Sequence, residues 1–84
     1  MHYSGILVVV APDDVDRTAE TLDSLPGIEV HYLYPDSGRI IVVQETATAQ
    51  EQEDGLRRIQ NLAEVRMAAL VEHRIDQESE GVTP

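Results

Sequence analysis

The feature that most constrains the fold is a pair of short aliphatic runs without a polar residue, at positions 6–10 and 40–43. Both runs are rich in β-branched side chains, which favour strands. Successive side chains of a strand point to opposite faces of a sheet, so each run is apolar on both faces. We therefore expect them to be the two central strands of a sheet, and we expect any face left without a covering helix to be apolar as well.

The rest of the first half reads as a helix and a hairpin. Pro12 ends the first strand, and Asp13 and Asp14 open a helix. Apolar residues recur along this helix at helical spacing, at Val15, Ala19, Leu22 and Leu25. Residues 28–32 alternate in polarity as a half-buried strand does, and a turn at 35–38 joins them to the run at 40–43.

The second half is expected to contain one helix and one strand. Thr48 and Glu51 have the spacing of a capping box, in which Thr48 caps the helix and Glu51 reaches back to the Thr48 amide. The residues expected to point inward from this helix are Ala49, Gln52, Leu56, Ile59 and Ala63. The fourth strand is expected at residues 65–71.

This order of elements predicts the fold. The apolar positions of residues 22–30 recur 37 positions later, so the chain consists of two similar strand–helix–strand halves. Right-handed crossovers interleave such halves. We predict an α+β fold of the ferredoxin-like type, a two-layer sandwich with an antiparallel sheet of strand order 4-1-3-2 and two helices on one face. Residues 1–75 would form one domain and residues 76–84 a disordered acidic tail.

The composition limits the class of partner. Acidic residues outnumber basic ones by 16 to 6, which gives a formal net charge of −10, and every basic residue is an arginine. Such a surface repels phosphate, so we expect neither nucleic acid nor a membrane as a partner. A basic partner would be attracted, although acidity also serves simply to keep a small protein soluble.

Motifs typical of an enzyme or a metal protein are missing from the sequence. It has no cysteine, and His2, His31 and His73 lack the spacing of metal ligands. The loop after the first strand is anionic and would repel a phosphate group. We therefore expect no catalytic residue, no metal and no cofactor. The N-terminus has no basic, apolar leader, so the cytoplasm is the expected location.

The candidate site is the sheet face that no helix covers. If Tyr32 lies opposite Ile41 and Val30 opposite Val43, alternation assigns one set of residues to this face: Leu7, Val9, Leu33, Ile40, Val42, Ala68 and Leu70. A large apolar patch usually marks an interaction surface. It would bind an apolar peptide or the same face of a second copy, and a slip of one residue in the pairing would exchange the two faces.

Several segments resemble the NapD family. They are residues 25–30 (LPGIEV), 37–45 (SGRIIVVQE) and 70–73 (LVEH), and the similarity extends over nearly the whole chain. The resemblance implies a ferredoxin-like chaperone in the cytoplasm that binds the twin-arginine signal peptide of the periplasmic nitrate reductase catalytic subunit. It also implies that export is delayed until the molybdenum cofactor has been inserted.

A twin-arginine peptide joins a basic segment to an apolar one, which suits an acidic protein with an apolar open face. We predict that the peptide-binding residues are Leu7, Val9, Leu33, Ile40, Val42 and Leu70, with Glu45 and Glu72 as partners of the arginine pair. Two alternatives remain open. One is a regulatory ligand-binding domain of the amino-acid-sensing kind, which shares this fold, and the other is a weak homodimer.

Overall fold

A computed structural model describes residues 1–75, so the predicted disordered tail at 76–84 lies outside the described residues. Within the described part, a 3₁₀ turn (Pro12–Asp14) leads into the first of two helices. The main elements are β1 (His2–Val9), α1 (Val15–Asp23), β2 (Ile28–Tyr34), β3 (Arg39–Thr46), α2 (Ala49–Gln60) and β4 (Met67–Ile75). Their order along the chain is the predicted one.

The four strands form one antiparallel sheet of order β2-β3-β1-β4. Read from the other edge, this is the predicted order 4-1-3-2, so the ferredoxin-like fold is confirmed. The central strands are β1 and β3, which contain the two runs that are apolar on both faces. Both helices pack on the same face of the sheet, which we call the helix side. The other face is called the open face.

The core lies between the sheet and the helices. Alternate residues of β1 and β3 supply its centre, and α1 and α2 close it from the other layer. Its most deeply buried apolar side chains are Ile6, Val8, Val10, Ile40, Val42, Val15, Leu22 and Ile59. Burying one such aliphatic side chain stabilises the fold by roughly 1.5–3 kcal/mol, so this layer supplies much of the stability of a small domain.

The start of α2 is capped nearly as predicted. The Thr48 hydroxyl accepts a hydrogen bond from the Glu51 amide at 3.1 Å. The Glu51 carboxylate, however, accepts from the amide of Ala47 at 3.0 Å rather than from that of Thr48. Two residues expected to point inward, Ala49 and Ala63, are exposed instead.

Gly55 allows α2 to approach the sheet closely. The buried Gln44 side chain lies against it, and a Cβ atom added at Gly55 would overlap the Gln44 amide oxygen. The Gln44 amide nitrogen donates to the carbonyl of Gln52 at 3.2 Å, which holds the side chain in this place. A glycine inside a helix is ordinarily unfavourable, and here it provides the space that a buried amide occupies.

A β-bulge at His31 interrupts β2. Tyr32 pairs with Ile41, as predicted, but Val30 pairs with Val42 rather than with Val43. Because the strand contains one extra residue, its alternation reverses at this point. The prediction carried alternation through His31 without a break and so exchanged the two faces of β3.

The bulge requires a correction for three predicted site residues. Ile40 and Val42 point to the helix side and are completely buried, so their assignment to the open face was wrong. Leu33 lies opposite Ile40 and therefore also belongs to the helix side, although its side chain is 40% exposed. Ile41 and Val43 occupy the open face instead.

A second bulge lies in β4, at Val71. Leu70 pairs with Ile6, whereas Glu72 pairs with Gly5, so Val71 has no partner in β1. The pairing places Leu70 on the helix side, so this assignment was also wrong, although its side chain is 41% exposed. Ala68, likewise expected on the open face, is buried in the core.

Candidate functional site

Pairing of the strands arranges the open face in four rows that run across the sheet. Starting from the end where β1 begins, the rows are Glu45–Tyr3–Arg74, then Glu29–Val43–Gly5–Glu72, then Tyr32–Ile41–Leu7–Ala69, and last Tyr34–Arg39–Val9–Met67. Directly opposite residues have Cβ atoms about 4.5–5.5 Å apart, so the members of a row are neighbours. The open face is therefore one continuous surface made by all four strands.

The first two rows form what we call the acidic end. They carry three carboxylates, those of Glu29, Glu45 and Glu72, and one arginine, Arg74. The Arg74 guanidinium lies 3.7 Å from Glu72, and the His31 ring in the β2 bulge lies 3.6 Å from Glu29. Among residues 1–75, no basic side chain forms an ion pair with Glu45. The acidic end can therefore accept further positive charge.

The last two rows form the apolar end. Their residues are aliphatic or aromatic apart from Arg39, and no carboxylate belongs to either row. Large exposed side chains lie here, with Tyr32 60%, Tyr34 50% and Met67 46% exposed. The two tyrosine rings are 6.4 Å apart between centroids. A contiguous apolar surface of this kind marks a site of interaction.

Two shallow depressions flank Tyr3 at the acidic end. Their volumes are about 340 and 390 Å³, and both are lined in part by Tyr3 and Val43. The charged residues that line them are Glu72 and Arg74 in the first, and Glu29 and Glu45 in the second. Gly5, which has no side chain, also lines the first depression. Each depression therefore offers a carboxylate next to an aromatic ring.

Four of the predicted site residues lie together on the open face: Leu7, Val9, Glu45 and Glu72. The other four lie on the helix side, as described above. The open-face residues that were not predicted to belong to the site include Tyr3, Tyr32, Tyr34, Ile41, Val43 and Met67. Since β1 and β3 are apolar on both faces, composition could not indicate which residues faced the helices, and only the bulge at His31 decides it.

Other groupings of polar residues lie away from the open face. A cleft of about 500 Å³ separates the first half of α2 from the end of β3 and includes Glu51, Asp54 and Arg58 in its lining. His2 and His73 are joined ring to ring, with Nδ1 and Nε2 3.1 Å apart. Within residues 1–75, no three histidine or carboxylate side chains are grouped to hold a metal ion. Neither helix of this part has the length and apolarity needed to cross a membrane.

Comparison with known proteins identifies relatives of this architecture. The family model of the NapD protein matches residues 1–77. No curated protein sequence matches the chain. The solution structure of the E. coli Tat proofreading chaperone protein NapD is similar, with a TM-score of 0.80 at 22% identity over 98% of this chain and 86% of that chain. The crystal structure of a hypothetical protein from Pyrococcus horikoshii gives 0.79 at 21% identity, over 99% and 100% respectively.

Proposed function

The chain belongs to the NapD family, and on this ground we propose that it is a maturation chaperone which binds a signal peptide, and not an enzyme. The observation that carries the proposal is the open face, an apolar surface joined to an acidic end on a sheet that the helices leave uncovered. The similar E. coli protein is a Tat proofreading chaperone. We propose the twin-arginine signal peptide of the periplasmic nitrate reductase catalytic subunit as the partner.

The two ends of the open face match the two parts of such a peptide. A signal peptide has a positively charged segment followed by an apolar one. The apolar segment would displace water from the side chains of Leu7, Val9 and Ile41, and each Å² of apolar surface removed from water contributes about 25 cal/mol. The arginines would lie near the carboxylates of Glu45 and Glu72. The net charge of −10 would speed the encounter, and apolar burial would slow release.

Slow release of the signal peptide would allow the chaperone to delay export. A signal peptide held on the open face in the cytoplasm is unavailable to the export machinery, so transport waits until the chaperone lets go. We propose that this delay lasts until the molybdenum cofactor is in place in the catalytic subunit. The chaperone needs no catalytic group for this role, because binding alone withholds the peptide.

Calorimetric titration with a twin-arginine signal peptide tests both the proposed function and the location of the binding site on the open face. The variants are Leu7→Asp on the open face and Leu70→Asp on the helix side, which have the same substitution in neighbouring strands of one sheet. We expect the wild type to bind more weakly as salt increases. A charge at Leu7 would be buried without a partner under the peptide, and we expect it to weaken binding about tenfold or more.

The control variant decides how the titration is interpreted. Leu70→Asp is expected to bind as the wild type does, and circular dichroism would establish that both variants are folded. Loss of binding in Leu70→Asp with full binding in Leu7→Asp would move the site to the helix side. A wild-type protein that binds no signal peptide at either salt concentration would refute the chaperone function.

A further inference from the structure

We propose that the signal peptide lies on the open face in a single direction, parallel to β1, with one guanidinium of its arginine pair on either side of Tyr3. This inference rests on the proposed function and adds to it the polarity of the bound peptide and the two arginine seats. It follows from the distribution of charge along the open face, from the length of that face and from the two depressions at the acidic end.

The charge distribution determines the direction. All three open-face carboxylates lie in the two rows nearest the start of β1, and Arg39 lies in the row at its end. The basic segment of a signal peptide precedes the apolar one. With the arginines at the acidic end, the peptide therefore runs from Tyr3 towards Val9, which is the direction of β1.

The reverse direction is unfavourable at both ends. It would place the arginine pair beside Arg39, where like charges repel. It would also lay apolar side chains over Glu29, Glu45 and Glu72, removing carboxylates from water without giving them a partner, which costs several kcal/mol for a charged group. In the proposed direction the same carboxylates gain positive partners, so the two directions differ by more than the energy of one surface ion pair.

The open face beyond the first row is long enough for a short apolar segment. From Gly5 to Val9 a strand extends about 13 Å, at about 3.3 Å per residue. A helix of that length contains about nine residues, at 1.5 Å per residue. The apolar segment of a signal peptide has about 7–15 residues. A segment in the lower part of this range therefore spans the distance from the row of Gly5 to the row of Val9.

The two depressions supply the arginine seats. A guanidinium can stack on the flat ring of a tyrosine and donate two hydrogen bonds to one carboxylate. One depression offers Tyr3 with Glu72, and the other offers Tyr3 with Glu45. Arg74 is 73% exposed and only 3.7 Å from Glu72, so this weak surface pair can be exchanged for a peptide arginine.

Paramagnetic broadening of amide signals tests the direction. The protein has no cysteine, so a nitroxide can be attached to a single cysteine in the peptide, either ahead of the arginine pair or after the apolar segment. The first label is expected to broaden the amides of Tyr3 and Glu45, and the second those of Arg39 and Met67. Reversed broadening would overturn the direction and leave the chaperone function standing, because the peptide would still be bound.

Other outcomes of this experiment also contradict the proposal. Equal broadening at both ends by either label would mean that the peptide has no fixed direction. Open-face signals that shift with protein concentration in the absence of peptide, and that the peptide does not alter, would assign the face to a second copy of the chain. Absence of any binding would instead count against the proposed function itself.

Affinity measurements test the arginine seats. Glu45→Gln and Glu72→Gln are each expected to weaken binding of a twin-arginine peptide roughly two- to fivefold, the range for exposed ion pairs. A peptide with both arginines replaced by glutamine should bind these variants and the wild type alike. The matched control is Glu53→Gln on the exposed side of α2. If that variant weakens binding as much, only net charge matters and the seats are wrong.

Discussion

The two faces of the sheet are made from alternate residues of the same strands, yet they have opposite environments. On β3, Ile40 and Val42 are completely buried under the helices, whereas Ile41 and Val43 beside them face the open side and keep part of their surface in water. The helix side even buries the polar Gln44, which is satisfied by a backbone carbonyl. At these four aliphatic positions, the difference in burial therefore comes from the presence of a covering layer and not from the hydrophobicity of the residues.

The largest expected difference between the faces comes from one substitution made at neighbouring positions. Val42→Asp would bury a carboxylate without a partner, at a cost of several kcal/mol, in a domain whose total stability is roughly 4–10 kcal/mol. We expect this variant to be largely unfolded by circular dichroism. Val43→Asp should fold, with a loss of about 1 kcal/mol in urea unfolding. If both variants were equally stable, the assignment of the two faces would be wrong.

Glycine-to-alanine substitutions sharpen the comparison on a smaller scale. Gly55→Ala would ordinarily stabilise a helix by about 1 kcal/mol. Here the new methyl group would displace the buried Gln44 side chain and break its hydrogen bond to Gln52, so we expect a net loss of about 1–2 kcal/mol. Gly5→Ala on the open face would meet its nearest neighbour, the Cβ atom of Glu72, at 3.5 Å, an ordinary contact.

Thermal unfolding monitored by circular dichroism compares these two variants. For a domain of this size, 1 kcal/mol corresponds to a change of about 4–8 °C in Tm. We expect a clear decrease for Gly55→Ala and a change within about 0.5 kcal/mol for Gly5→Ala. A gain in stability for Gly55→Ala would mean that Gln44 has room to move and that the close approach of α2 is unimportant.

Deletion of His31 is expected to have a smaller effect than Gly55→Ala. Without this residue Val30 and Tyr32 become neighbours, and they already lie opposite Val42 and Ile41. The deletion would therefore produce a regular strand in which all the remaining side chains keep their present faces. We expect a change in the free energy of unfolding within about 1 kcal/mol, since the exposed contact of His31 with Glu29 contributes little.

Deletion of Ile41 is the matched control for this prediction. It removes a residue from a central strand that has no bulge, so one part of β3 must turn to the other face and bring buried residues out of the core. We expect this variant not to fold. Similar stability for the two deletions, measured by urea unfolding, would contradict the assignment of His31 as the extra residue of β2.

The order of the elements and of the strands could be predicted from the sequence because each depends on local patterns. The aliphatic runs identified the central strands, and the capping pair at Thr48 identified the start of α2. Connections that are short and right-handed then leave few ways to arrange four strands and two helices. These inferences do not depend on the pairing of individual residues, so a local irregularity leaves them intact.

The composition of the candidate site was harder to predict, because it depends on pairing residue by residue. Leu7 and Val9 were placed correctly, since β1 is regular through the residues that matter. Ile40 and Val42 were placed on the wrong face because nothing in the sequence around His31 indicates an extra residue. In a strand that is apolar on both faces, either register places apolar residues towards the helices. The sequence pattern therefore does not reveal that the two faces have been exchanged.

The two bulges also bear on association of the sheet through its edges. They lie at His31 and Val71, one in each of the two outermost strands. The outer edge of a sheet carries unpaired amides and carbonyls that can recruit a strand from another molecule, and an irregular, locally twisted edge is a poor template for such growth. A protein that must display an apolar surface is exposed to aggregation, and its bulged edges counter the route that leads to fibrils.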